Sequence, residues 1–89
     1  MLNLVYKNSF KKDFKRIKKR GKDLSKLKEI IDILQYKKPL HMKYRNHKLT
    51  GNWEGYWELH IEPDWLLIYK IEVNDLIISA SGTHADLFE

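Results

Sequence analysis

At 89 residues the chain is long enough for one hydrophobic core and too short for two, and its 43% apolar content fits a folded domain rather than a disordered tail. It has no cysteine, which excludes disulfides and cysteine-bound zinc, and no apolar run near the ~18 residues of a membrane span. The net charge of +5 is unevenly spread: residues 1–50 hold 16 Lys/Arg and 4 Asp/Glu, whereas residues 51–89 hold one lysine, Lys70, and 8 Asp/Glu. Such a basic first half suits a polyanion, and equally a plain solvated helical face.

Leu2–Tyr6 alternates apolar residues around a β-branched valine and predicts a strand. It lacks the basic-then-apolar order of a secretory signal, so the expected location is the cytoplasm. Asn8 or Ser9 is the expected cap of a first helix, whose Phe10, Phe14 and Ile17 fall on one face. Gly21 stops it, and Asp23 caps a second helix with the stripe Leu24, Leu27, Ile30, Ile31 and Leu34, ended by Pro39. Residues 39–47 read as a loop carrying cations and two histidines, His41 and His47, and Gly51-Asn52 signals a turn.

The period then changes to two. Trp57, Leu59 and Ile61 share one face of a strand, and Tyr56, Glu58, His60 and Glu62 share the other. Pro63-Asp64 makes a tight connection to Trp65–Ile71, which is apolar on both faces and so predicts a central strand. Asn74-Asp75 turns the chain into Leu76–Ser81, and Ala85–Phe88 is expected as one helical turn. The order β-α-α-β-β-β with hairpin-spaced turns predicts a single α+β domain over residues 1–89. Its curved antiparallel sheet would carry the helical hairpin on one face.

Three stretches are distinctive together: Asn46-His47-Lys48-Leu49-Thr50-Gly51-Asn52-Trp53, then Glu58 to Tyr69 (ELHIEPDWLLIY), then Gly82 to Phe88 (GTHADLF). In combination they closely resemble the YafQ branch of the RelE/ParE toxins, the toxin halves of bacterial type II toxin–antitoxin pairs. The likeness runs nearly end to end, loosely over the basic hairpin and closely over residues 46–88. It implies the fold just read and a ribosome-dependent endoribonuclease that cuts messenger RNA in the ribosomal A site without a cofactor. It also implies a monomeric toxin that joins a cognate antitoxin in a larger complex, with no membrane partner.

Metal-free RNA cleavage needs a base for the ribose 2′-hydroxyl, an acid for the leaving 5′-oxygen and cations for the charged phosphorane. Histidine suits both proton roles, its ordinary pKa being ~6.5. By the resemblance, His60, Asp64 and His84 are expected to be catalytic, with His47 beside them, and Trp65 and Phe88 to shape the substrate site. Without it, His60 reads as a strand-surface residue, Asp64 as a turn residue, His84 as a cap, and both aromatics as packing. Three histidines and an aspartate also raise zinc, but neither HxH nor HExxH spacing is present and no metal is expected. Lys11, Lys12, Lys15, Arg16, Lys18, Lys19 and Arg20 are expected to meet ribosomal RNA phosphates.

Two positions depart from the family pattern. The arginine expected on the last strand, four residues before the histidine of GTH, is Ala80 here. Either another cation serves, or an arginine has been replaced so that a toxic protein can be produced. Trp57 stands where relatives often have arginine and is expected to stack on a base. Two other functions fit the same fold: a ParE-like toxin acting on DNA gyrase without nuclease chemistry, and a basic RNA-binding module. The histidine pair His60 and His84 favours the nuclease, because a gyrase binder needs no acid–base pair.

Overall fold

The two amphipathic stretches form α1 (Asn8–Lys19) and α2 (Leu24–Gln35) in the computed structural model, which describes residues 1–88. Phe10 and Ile17 of α1 are buried, as are Leu27, Ile30, Ile31 and Leu34 of α2. Asp23 caps α2 by accepting the Ser25 amide, as its sequence position predicts. The α1 cap differs: Lys7 occupies the cap position without a side-chain bond, and the Ser9 hydroxyl instead donates to the Ser79 carbonyl at 2.7 Å. Gly21 closes α1 at φ +75°, with Lys22 and Gly21 amides returning to the Ile17 and Lys18 carbonyls. The same closure ends α2 at Lys37, φ +56°, before Pro39 is reached, so the proline is not what stops the helix.

Five strands form one sheet: β1 (Asn3–Tyr6), β2 (His47–Lys48), β3 (Trp57–Glu62), β4 (Trp65–Glu72) and β5 (Asp75–Gly82), in the order β1-β5-β4-β3-β2. The pairs β3–β4 and β4–β5 are antiparallel hairpins, as expected. The sheet is nonetheless mixed, because β1 lies parallel to β5 after the helical hairpin carries the chain across. β2, only two residues long, comes from the region read as loop. A last helix, α3 (His84–Phe88), follows β5. The helices cover one sheet face, where Leu59, Trp65, Leu67, Tyr69, Leu76 and Ile78 join the helical apolar residues in the hydrophobic core.

Two bulges decide what faces where. Pairing slips between His60 and Glu62, which sends the Glu62 carboxylate to Lys22 and Lys26 of the helical layer, at 3.0 and 2.8 Å. It slips again in β5, where Tyr69 pairs with Ile78 but Ile68 pairs with Ala80, leaving Ser79 as the extra residue. Strict alternation would put Ala80 beside Leu76 and Ile78 in the core. The bulge turns it to the opposite face.

Candidate active site

Residues paired directly across strands project to the same side of a sheet. One row therefore runs His47–Glu58–Ile68–Ala80, and the next runs His60–Leu66–Gly82, both on the face away from the helices. This open face gathers three of the four histidines, His47, His60 and His84. The ring centroids of His47 and His60 are 6.3 Å apart, and those of His60 and His84 are 5.9 Å apart.

Each imidazole is anchored through Nδ1. His47 Nδ1 donates to the Arg45 carbonyl at 2.7 Å, and His60 Nδ1 to the Pro63 carbonyl at 3.0 Å. His84 Nδ1 donates to Asp64 Oδ1 at 3.1 Å. Since all three partners are acceptors, the Nδ1 proton is fixed, and the Nε2 atoms of His47 and His60 face Glu58 Oε1 at 3.4 and 3.7 Å. Asp64 also accepts the His84 backbone amide at 3.0 Å, and these two bonds, the amide first, hold its carboxyl below the usual carboxylate range.

Local structure aims these rings. Arg45 is left-handed at φ +51°, turning its carbonyl toward His47. The Tyr69 hydroxyl donates to Asn46 Oδ1 at 2.6 Å and pins the residue before His47 to the sheet. Burial pushes that phenol up to about 12. α3 begins with reciprocal bonds, the Thr83 amide to Asp86 Oδ2 and the Asp86 amide to Thr83 Oγ1. Asp86 also takes two bonds from Arg20, the C-cap of α1, at 2.6 and 3.1 Å. Arg20 first, then the Thr83 amide, holds its carboxyl far below the ordinary range. A Cβ on Gly82 would lie 2.9 Å from Asp86 Cβ, so only glycine lets α3 fold back this closely.

An aromatic edge borders the cluster. Phe88, 43% exposed, has its ring centroid 6.1 Å from His84 and 6.5 Å from Trp53, whose ring meets Tyr56 at 5.3 Å. Of these, only Phe88 is singled out by the sequence. Trp53 lies inside the NHKLTGNW stretch, but nothing in its spacing marks it as part of this edge.

The structure thus brings together His47, His60, Asp64, His84 and Phe88, with Ala80 on the same face. It does not bring in the other two tryptophans. Trp65 is 1% exposed in the core, and its Nε1 donates to Ser81 Oγ at 3.0 Å. Trp57, partly buried, packs against the core on the other face of β3 from Glu58 and His60, with Lys48 Nζ 5.5 Å from its ring. On α1, Lys11, Lys12, Lys15, Lys18 and Lys19 are exposed. Arg16 and Arg20 are paired with acidic groups, Asp13 at 2.8 Å and Asp86 at 2.6 Å, and Arg20 is exposed as well. Among the described residues no three His, Cys, Asp or Glu side chains are grouped to hold a metal ion, and no helix is long and apolar enough to cross a membrane.

Residues 2–89 match the family model described as the bacterial toxin of the type II toxin–antitoxin system, YafQ. The chain is 42% identical over 87 residues to the mRNA interferase toxin YafQ of Escherichia coli K12, covering 97% of this chain and 95% of that one. Among solved structures it resembles the toxin chain of the Escherichia coli DinJ–YafQ complex, at 41% identity and a TM-score of 0.91 over the whole of both chains. A copper-bound mutant toxin from Helicobacter pylori superposes at 41% identity and a TM-score of 0.94, over 99% of this chain and all of that one.

Proposed function

The chain belongs to the YafQ family of bacterial type II toxins, and from that premise we propose that it is an endoribonuclease cutting messenger RNA on the ribosome by metal-independent acid–base chemistry. The observation that carries this reading is the convergence of three imidazoles on one sheet face, each with Nδ1 tied to an acceptor, the Nε2 atoms of His47 and His60 lying 3.4 and 3.7 Å from Glu58 Oε1. An Nε2 of the His47–His60 pair takes the proton of the ribose 2′-hydroxyl. The 2′-oxygen attacks phosphorus, and the phosphorus–O5′ bond breaks. His84, oriented by Asp64, delivers a proton from Nε2 to the departing 5′-oxygen. The products are a 2′,3′-cyclic phosphate and a 5′-hydroxyl. Phe88 offers its exposed ring to a base.

The exposed lysines of α1 supply contacts to ribosomal RNA phosphates, and the chain works in the cytoplasm, where ribosomes are. Its partner is a cognate antitoxin, as DinJ is for the Escherichia coli toxin, acidic or amphipathic enough to complement the lysine-rich half and to cover the site or the ribosome-facing surface.

In-vitro translation followed by mapping of messenger ends tests the reading. Cuts on ribosomes ending in 2′,3′-cyclic phosphate, reduced by about a hundredfold or more in His60→Ala or His84→Ala, are expected. Cleavage that survives both changes, or gyrase-dependent DNA damage in its place, would refute it.

A further inference from the structure

Residues 51–89 keep a single Lys/Arg, Lys70, and the fold sets it beside a lysine from the other end of the chain. Lys7 follows β1, Tyr56 precedes β3, and β5 and β4 lie between those two strands. The side chains of Lys7 and Tyr56 nonetheless meet over the sheet, the ammonium donating to the phenol oxygen at 2.9 Å. Lys70 of β4 shares the open face with Ile68, because alternate strand residues point the same way. Its Nζ lies 4.8 Å from the centre of the Tyr56 ring, and Lys7 Nζ lies 5.5 Å from it. Lys7 first, and Lys70 after it, lowers the pKa of the phenol from its ordinary value.

Two ammonium groups gathered on one ring repel each other, and an anion between them turns that repulsion into attraction. Glu72 balances one of the charges, accepting from Lys70 at 2.7 Å. Lys7 is bonded to a neutral hydroxyl and stays exposed. Beside the same phenol stands Ser79, the extra residue of the β5 bulge, 2% exposed and with no hydrogen-bond partner for its Oγ. The cluster is also continuous with the aromatic edge, which runs from Tyr56 through Trp53 and Phe88 to His84. A row of rings ending at lysines is what a single-stranded nucleic acid meets on its binding proteins, rings for the bases and cations for the backbone. Lys70 is four residues along β4 from Leu66, the partner of His60, which is ~13 Å at the usual rise per residue. A phosphate held there is not the one being cut.

We propose that Lys7 and Lys70, brought together over Tyr56, form a phosphate site for a flanking nucleotide of the messenger, joined to the histidines by Trp53 and Phe88. The identity of that RNA rests on the nuclease reading above. An acidic peptide would also meet the two cations, but the rings between them and His84 match bases rather than carboxylates.

The test is titration of the whole protein with a short, labelled, single-stranded RNA whose 2′-hydroxyls are methylated so that it cannot be cut, read by anisotropy at several salt concentrations. Replacing both lysines, Lys7→Gln with Lys70→Gln, should weaken binding about fivefold or more at about 50 mM salt and flatten the salt slope by about 0.7, the share of one single-strand phosphate. Lys28→Gln, which removes the α2 cation paired with Asp32, should do neither. Lys7→Arg and Lys70→Arg should keep most of the affinity, and Lys7→Gln alone, at an exposed position, serves if the double variant does not fold. On programmed ribosomes the double variant should raise KM about threefold or more with kcat changed less than about twofold. No binding by the parent, a double variant that binds like Lys28→Gln, or a loss confined to an acidic partner protein would overturn the proposal, as would a fall in kcat at constant KM. Messenger cleavage with lysine-independent binding would sink this site and spare the nuclease reading. Lysine-dependent binding in a protein that cuts no messenger would sink that reading and leave the phosphate site standing.

Discussion

Ala80→Arg is the most direct probe of the open face. Ala80 sits in one row with Ile68, Glu58 and His47, two strands from Glu58, which is ~10 Å at the usual strand spacing. An arginine there starts on the same side as His60 and, extended across Ile68, spans most of the distance to the histidines. Its planar cation would favour the dianionic phosphorane over the monoanionic diester, which raises the rate rather than binding alone. Adding one such donor is worth about 10²–10³ in rate, or roughly 3–4 kcal/mol. Ala80 is buried, so fitting the longer chain costs about 1–3 kcal/mol of stability. Single-turnover cleavage on programmed ribosomes should therefore be two to three orders of magnitude faster, with a lowered Tm, and expression should inhibit growth. Adding His60→Ala or His84→Ala should remove most of the gain. Equal rates for the parent and a folded Ala80→Arg would show that the arginine, if present, would not reach the phosphate, and that the row across the sheet has been misjudged.

Charge reversal of Lys11, Lys12, Lys15, Lys18 and Lys19 should weaken ribosome affinity and flatten its dependence on salt, both read from binding titrations at several salt concentrations. Arg20→Ala should instead lower Tm and kcat, because it removes the bonds that hold Asp86 and α3. Asp86 titrates below its unfolded value, so the folded state binds fewer protons there, and its contribution is full above about pH 4 and fades as pH falls further. Asp86→Asn should consequently lower Tm at pH 7, with a difference that shrinks in melts near pH 3. Trp65→Phe should cost about 1 kcal/mol of stability by removing the indole donor to Ser81 Oγ, which keeps its bond to the Leu66 carbonyl, while leaving KM alone, whereas Phe88→Ala should raise KM and leave Tm alone.

Periodicity carried much of the fold. Helical spacing at Phe10, Phe14 and Ile17, and the stripe from Leu24 to Leu34, named the buried faces of both helices, and the three hairpin strands followed from alternation and turns. The parallel return of β1 to β5 was not legible, because a four-residue strand carries no mark of which distant partner it will join. Nor was β2, too short at two residues to show any period. For Ala80 the period itself misled: one extra residue at Ser79 reverses every face assignment beyond it. Trp57 is the opposite case. Alternation put it with Leu59 and Ile61, where the structure has it, and only the family pattern suggested contact with a base. Glu58 read as a surface acid because burial on the open face comes from β2 and its flanking turns, which strand alternation does not see.

The bonds that set the histidines are short-range or belong to the scaffold: a carbonyl two residues before His47, another three residues after His60, and a carboxylate in the adjoining turn for His84. None of them waits for RNA to arrive. An enzyme that assembles its reactive groups only around substrate carries its own safety catch. One whose groups already stand in place on an open sheet does not. For such a protein restraint has to be imposed from outside, by a partner lying over the face or by a requirement that the nucleic acid be presented in one geometry. A cell that loses that partner would face histidine rings already held in position.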